Sequence, residues 1–256
     1  MPMPVEALPN VSAAETAAGT PGVVDLWLLP TAAIDEARLW AGYVAQLGPD
    51  EHERYLRFAA PQARRLFVAG RALARHALAH YAPIPPADWR FAIAPGGRPA
   101  VANPLDRPLH FNLAHTAGLV VCVVARAHAR IGVDVEAADR TGRGEAMSRL
   151  VFTEAEARAL EALTEAERQH RFLTVWTLKE ACLKACGAGL TFGLDRVCFD
   201  LGGPAPTARF EPGTGETSDH WRFAALGAPP GHFVAVGADT GGAALDLRCD
   251  VTLPLG

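Results

Sequence analysis

The chain has 256 residues, is 50% hydrophobic and 20% charged, and carries a formal net charge of −4. That length supports one large or two small domains with a sizeable core, and the balanced composition excludes a disordered or collagen-like chain. Mild acidity argues against a broad nucleic-acid surface, and no apolar run reaches the roughly 18 residues of a membrane-spanning helix.

In chain order, residues 1–22 (MPMPVEALPNVSAAETAAGTPG) have neither a basic start nor an apolar stretch. They are predicted to be a disordered leader and not a secretion signal. Residues 23–29 (VVDLWLL) read as a buried strand, and 32–47 have helical spacing. A longer helix is predicted over 62–81, entered after Pro61 and closed before Pro83. Its Leu66, Ala69, Gly70, Leu73 and Ala77 share one face, and Arg64, Arg71 and Arg75 the other. Residues 82–108 are mostly loop, with a short strand near Phe91. Strands follow over 109–113, 119–125 and 131–136, the last two at hairpin distance. Thr153 and Thr164 each stand three residues before a Glu, the spacing of a capping box, and open two helices. The second runs to about Gly187, a natural helix stop. From Val197 onward, short apolar runs predict an antiparallel sheet. The order predicts an α+β fold of two similar halves, 23–128 and 129–256.

Charge is unevenly spread. Residues 1–130 hold 12 basic and 10 acidic side chains, residues 131–256 hold 12 and 18, so the halves differ as +2 and −6. Of the 24 basic residues, 22 are Arg; the two Lys are Lys179 and Lys184. Arg and Lys differ in geometry and proton chemistry, so this usage reflects either a need for an ammonium there or chance. The five cysteines form no Cys-x-x-Cys pair. They predict free thiols in a reducing cytoplasm and no zinc site.

Five segments carry candidate chemistry. In Gly132-Val133-Asp134-Val135-Glu136, strand alternation turns Asp134 and Glu136 to one face. Two adjacent carboxylates repel. They are either a solvated strand face or a site for a hard cation such as Mg²⁺, which takes one or two carboxylates with phosphate oxygens. Trp176, Glu180 and Lys184 form one helical stripe. Glu180 and Lys184 make either a helix ion pair worth about 0.3–0.5 kcal/mol, or a third carboxylate with the lysines beside a phosphate. In Phe111-Asn112-Leu113-Ala114-His115-Thr116, His115 is either a structural hydrogen-bonding group or a donor to a phosphate oxygen. Gly96-Gly97-Arg98-Pro99 is a glycine turn whose Arg suits an anion. Residues 54–75 hold six Arg and no acid, and Arg forks suit phosphate. A solvated helix face accounts for Arg64, Arg71 and Arg75. Arg54 and Arg57 precede that helix and are better placed to meet a ligand.

Taken in order, GGRP, FNLAH, GVDVE, FTEAEA and WTLKEACLKACGAGL resemble the segments of the Sfp-type 4′-phosphopantetheinyl transferases, over about 96–190, with a weaker Arg-rich match over 51–75. The resemblance implies a monomer of two pseudo-twofold-related α/β halves with the active site in the cleft between them. It implies transfer of 4′-phosphopantetheine from coenzyme A to a serine hydroxyl of an apo acyl or peptidyl carrier protein, with Mg²⁺ or Mn²⁺, releasing 3′,5′-ADP. Residue by residue, it implies Asp134, Glu136 and Glu180 as metal ligands and Glu180, Lys184 and His115 as catalytic. It implies Arg54, Arg57, Arg98, Pro99, His115, Lys179 and Lys184 as contacts to coenzyme A. Ala114 departs from the usual Ser, and Glu51 stands where relatives can carry a basic residue. Two other readings use the same residues: a non-catalytic module binding coenzyme A or a carrier protein, and a Mg²⁺-dependent phosphohydrolase.

Overall fold

The computed structural model describes residues 3–4, 8, 22–94, 97–139, 151–187, 192–227 and 229–255. The chain forms two compact units: residues 8–129 with 246–256, and residues 1–7 with 130–245. Twelve strands are described: β1 (Met3–Pro4), β2 (Val23–Pro30), β3 (Phe91–Ile93), β4 (Pro99–Val101), β5 (His110–Thr116), β6 (Leu119–Ala125), β7 (Ile131–Ala137), β8 (Val197–Asp200), β9 (Thr207–Phe210), β10 (Trp221–Gly227), β11 (His232–Asp239) and β12 (Asp246–Val251). The described α-helices are α1 (Glu36–Ala45), α2 (Pro49–Arg57), α3 (Pro61–Ala79), α4 (Glu154–Glu161) and α5 (Glu165–Cys186). The fold is α+β with mixed sheets. None of the described helices is long and apolar enough to cross a membrane.

In the first unit the sheet order is β12-β2-β6-β5, with β12 parallel to β2 and the other pairs antiparallel. The apolar runs VVDLWLL and LVVCVVA make β2 and β6 buried strands. Helix α3 sets Leu66, Ala69, Leu73 and Ala77 into a core with Trp27, Leu29, Val120, Cys122 and Val124. Two sequence expectations change here, and one helix is added. The hairpin joins β5 to β6 through the two-residue turn 117–118, with Gly118 at φ +87; β6 and β7 do not pair, and β7 enters the other unit. The expected second half, 129–256, loses its last strand, because the β2 edge takes β12 as its partner. Residues 49–57 are helical, with Pro49 opening α2 and Glu51 closing its first turn by accepting from Gly48 N at 3.0 Å.

Helix α3 packs His76 against Trp27 and His80, with Nε2 3.0 Å from Thr252 Oγ1 beyond β12. Burial, then the charge of His80, pushes the His76 imidazole down to about 4. The folded unit therefore holds His76 neutral while the unfolded chain takes up a proton below about 6.5. This stabilisation is complete above that value and is lost as pH falls towards about 4. Thermal unfolding of wild type and His76→Gln between about pH 7.5 and pH 4.5 is expected to show a shallower acid loss in the variant. Parallel profiles would remove His76 from the account.

In the second unit the order is β1-β10-β11-β7. Met3–Pro4 pairs parallel with Leu226 and Gly227, where the sequence predicts unstructured leader. Apart from these two residues, Leu8 and Gly22, the expected leader lies outside the described residues. Capping boxes open both helices: Glu156 returns to Thr153 N at 2.9 Å, and Glu167 to Thr164 N at 3.0 Å. Helix α5 ends on Gly187 at φ +70, whose N–H reaches Leu183 O. Its apolar face (Val175, Leu178, Cys182, Leu183) packs with Phe199, Trp221, Phe223 and Ala235.

Candidate active site

Strand alternation puts Gly132, Asp134 and Glu136 on one face of β7, and α5 covers that face. Gly132 makes the approach possible. A Cβ there would lie 2.1 Å from Ala181 O and 2.6 Å from Ala185 N, distances that no side chain tolerates. The glycine is thus required by the crossing of helix over strand. Gly132→Ala is expected to displace α5 at a cost of about 3 kcal/mol or more, the upper end of overpacking, with loss of activity. Thermal unfolding checks it, and an unchanged midpoint would contradict the packing.

The acids do not lie on a solvated face: Asp134 is 7% and Glu136 6% exposed. Each meets the Trp176–Glu180–Lys184 stripe. Lys184 Nζ lies 2.6 Å from Asp134 Oδ1 and 3.1 Å from Val133 O. Trp176 Nε1 donates to Glu136 Oε1 at 2.7 Å. Glu180, half-buried, stands between them on the stripe. Burial pushes the Asp134 carboxyl up to about 6; Lys184 opposes this, and the charges of Glu136 and Glu180 add to it. Asp134 Oδ2 is buried without a hydrogen-bond partner.

These observations test the expected metal ligands. Among the described residues, no three His, Cys, Asp or Glu side chains are gathered closely enough to hold a metal ion, so the three carboxylates do not form a ready-made cage. Mg²⁺ does not require one, since it completes its shell with phosphate oxygens and water. A buried, unpartnered carboxylate oxygen beside two further acids fits a cation held in that way.

Lys179 is placed differently from the expectation. It is fully buried, and its ammonium donates to Val151 O at 2.7 Å, Glu156 Oε2 at 2.6 Å and Leu194 O at 2.9 Å. Glu156 is satisfied in turn, accepting on Oε1 from Phe199 N at 2.8 Å. All three donors of Lys179 are committed to protein, so this geometry does not fit a contact with coenzyme A. Burial pushes the amine down, and Glu156 counters it. The reason was available in the spacing: residues five apart on a helix lie about 140° apart around its axis. Lys179 and Lys184 therefore cannot both face β7.

The remaining candidates belong to the other unit. Alternation along β5 buries Ala114 and exposes His115, so the departure from Ser removes a hydroxyl from a packed position. Arg98 and Pro99 are half-buried where β4 begins. Burial, then the charge of Arg98, lowers the pKa of His110. Gly96, like residues 188–190 of the last motif, lies outside the described residues. Arg54 and Arg57 are exposed in the last turn of α2, with the Arg54 guanidinium 5.2 Å from the Phe67 ring. Arg71 and Arg75 do not form a solvated face: Arg75 is 1% exposed, and both pair with Glu51. Sequence reasoning named Glu51, Gly132 and the Glu three residues after Thr153, but not as the partner of two arginines, the site of helix approach and the counter-charge of Lys179. The available signals were the capping-box spacing of Glu156 and the strand parity that Gly132 shares with the two acids.

Comparison with known proteins gives the family. The family described as 4′-phosphopantetheinyl transferase superfamily matches residues 130–236, and the one described as 4′-phosphopantetheinyl transferase, N-terminal, matches 35–128. The 4′-phosphopantetheinyl transferase HetI of Nostoc is 33% identical over 221 residues, covering 85% of this chain and 88% of its own. The phosphopantetheinyl transferase of Thraustochytrium is 32% identical over 197 residues, 71% of this chain and 67% of its own. The 4′-phosphopantetheinyl transferase Sfp of Bacillus subtilis is 27% identical over 161 residues, 58% and 69%. The chain belongs to the 4′-phosphopantetheinyl transferase superfamily. It is a transferase of the Sfp type.

Proposed function

We propose that the chain transfers 4′-phosphopantetheine from coenzyme A to a serine hydroxyl of an apo acyl or peptidyl carrier protein, releasing 3′,5′-ADP. The observation that carries this reading is the arrangement at Asp134: one carboxylate oxygen on Lys184, the other buried without a partner, with Glu136 on the same strand face. Asp134, Glu136 and Glu180 would hold Mg²⁺, or Mn²⁺ in its place. When bound, the ion offsets charge on the diphosphate.

A serine hydroxyl is a weak nucleophile at neutral pH, and the barrier to phosphoryl transfer is mainly charge and in-line positioning. Glu180 takes the serine proton as the oxygen attacks the phosphorus that carries pantetheine. The bond from that phosphorus to the 3′,5′-ADP oxygen breaks, and the leaving group departs as an anion. Lys184 supplies positive charge as it develops, and His115 donates to a phosphate oxygen. Arg98, Pro99, Arg54 and Arg57 receive the nucleotide end. In this reading the protein acts as a cytoplasmic monomer.

Incubation with coenzyme A, Mg²⁺ and an apo carrier, followed by mass measurement of the carrier, tests the reaction. Transfer adds about 340 Da, the mass of one phosphopantetheine group. Binding without that gain would leave a coenzyme A or carrier-binding module, and cleavage of coenzyme A without a carrier would indicate a hydrolase.

A further inference from the structure

Glu51 is an acid next to an arginine-rich stretch. If exposed, it would weaken any anion site there. Instead both of its oxygens are occupied. Oε1 lies 3.1 Å from Arg71 Nε and 3.4 Å from Arg75 Nη1; Oε2 lies 2.5 Å from Arg75 Nη2 and 3.0 Å from Gly48 N. One carboxylate thus closes the first turn of α2 and fastens that helix to two successive turns of α3. The fastening matters because α2 has no fully buried residue of its own. Tyr55 and Phe58 are partly buried against the core.

The two arginines need the acid equally. Arg75 lies with its guanidinium 4.8 Å from the Phe91 ring. Burial pushes the Arg71 guanidinium down, Arg75 and Arg54 push the same way, and Glu51 is the counter-charge that opposes them. Without Glu51, two neighbouring cations would remain in a poorly solvated site and would repel. Helix α2 would then lose its ion-pair tether to α3, and Arg54 on α2 would face Arg71 on α3 with no counter-charge between them. Arg54 follows Glu51 by three residues and Arg57 by six, so both move with the helix.

We infer that Glu51 is a positioning residue: by pairing with Arg71 and Arg75 it holds α2 against α3 and sets Arg54 and Arg57 for the anionic nucleotide end of coenzyme A. This rests on the reading that those arginines meet that end.

The test compares kcat/KM of the full chain, with Mg²⁺ and an apo carrier, for coenzyme A and for 3′-dephospho-coenzyme A, which lacks one phosphate at the nucleotide end. Wild type is expected to prefer coenzyme A. Glu51→Gln keeps an acceptor for Gly48 but loses the charge, and is expected to reduce the preference about tenfold, the scale of one charge-assisted phosphate contact. Arg54→Ala is expected to reduce it as well, and the double variant to lose little beyond Arg54→Ala alone. Should Glu51→Gln fail to fold, Glu51→Gln/Arg75→Met removes one stranded cation and is expected to show the same loss of preference. An unchanged preference with both substrates falling equally would reduce Glu51 to a structural residue and overturn the inference, as would a wild type with no preference. The same preference read by calorimetric binding needs no turnover, so an inactive wild type would refute the transfer reading and leave this test standing.

Discussion

Glu180→Gln is expected to lower transfer to the carrier by about a thousandfold, within the range of removing a general base, while coenzyme A binding falls far less. Glutamine fills the same volume and still accepts hydrogen bonds, but it can neither take a proton nor contribute charge to the Asp134–Glu136 face. The carrier's mass gain read over time gives the rate, and calorimetry gives the affinity. Near-normal turnover in this variant would remove Glu180 from the proton transfer. A matched loss of binding would instead make it mainly a contact for the bound substrate.

Lys179→Met is expected to have the largest effect on stability. It deletes one partner of a buried pair and leaves Glu156 charged and enclosed, which typically costs about 3–5 kcal/mol. Lys179→Arg should fare little better, since a planar fork cannot donate to three acceptors placed for a tetrahedral ammonium. The double variant Lys179→Met/Glu156→Gln is expected to recover part of the loss, because no buried charge is left without its partner. Thermal unfolding of the three variants measures this. If Lys179→Met kept its stability and only lost affinity for coenzyme A, the buried network would be the wrong account.

Much of the local structure was legible. Both capping boxes, the apolar runs of β2 and β6 and the glycine stop of α5 rest on interactions within a few residues, which sequence patterns record directly. The site was legible in part. Alternation correctly paired Asp134 with Glu136, and the four-residue spacing placed Trp176, Glu180 and Lys184 on one stripe. The pattern could not say whether that face was open to water, because burial depends on what packs against it. The helix 49–57 was hidden for a related reason: its sequence PDEHERYLR is largely charged, and its anchor is an ion pair to a helix some 20 residues later.

By itself, the sequence determined most of the element types, the two-acid strand and the motif set that leads to the family, because periodicity, caps and motifs are local properties of the chain. The tertiary structure decided the rest. It gave β12 to β2 and β7 to β11, separated β6 from β7, and sent one lysine to the acids and the other into a buried knot with Glu156. Strand partners are chosen by long-range hydrogen bonding at open edges, and a helix shows different residues to each neighbour according to its rotation. Neither can be read from spacing until the packing partner is known.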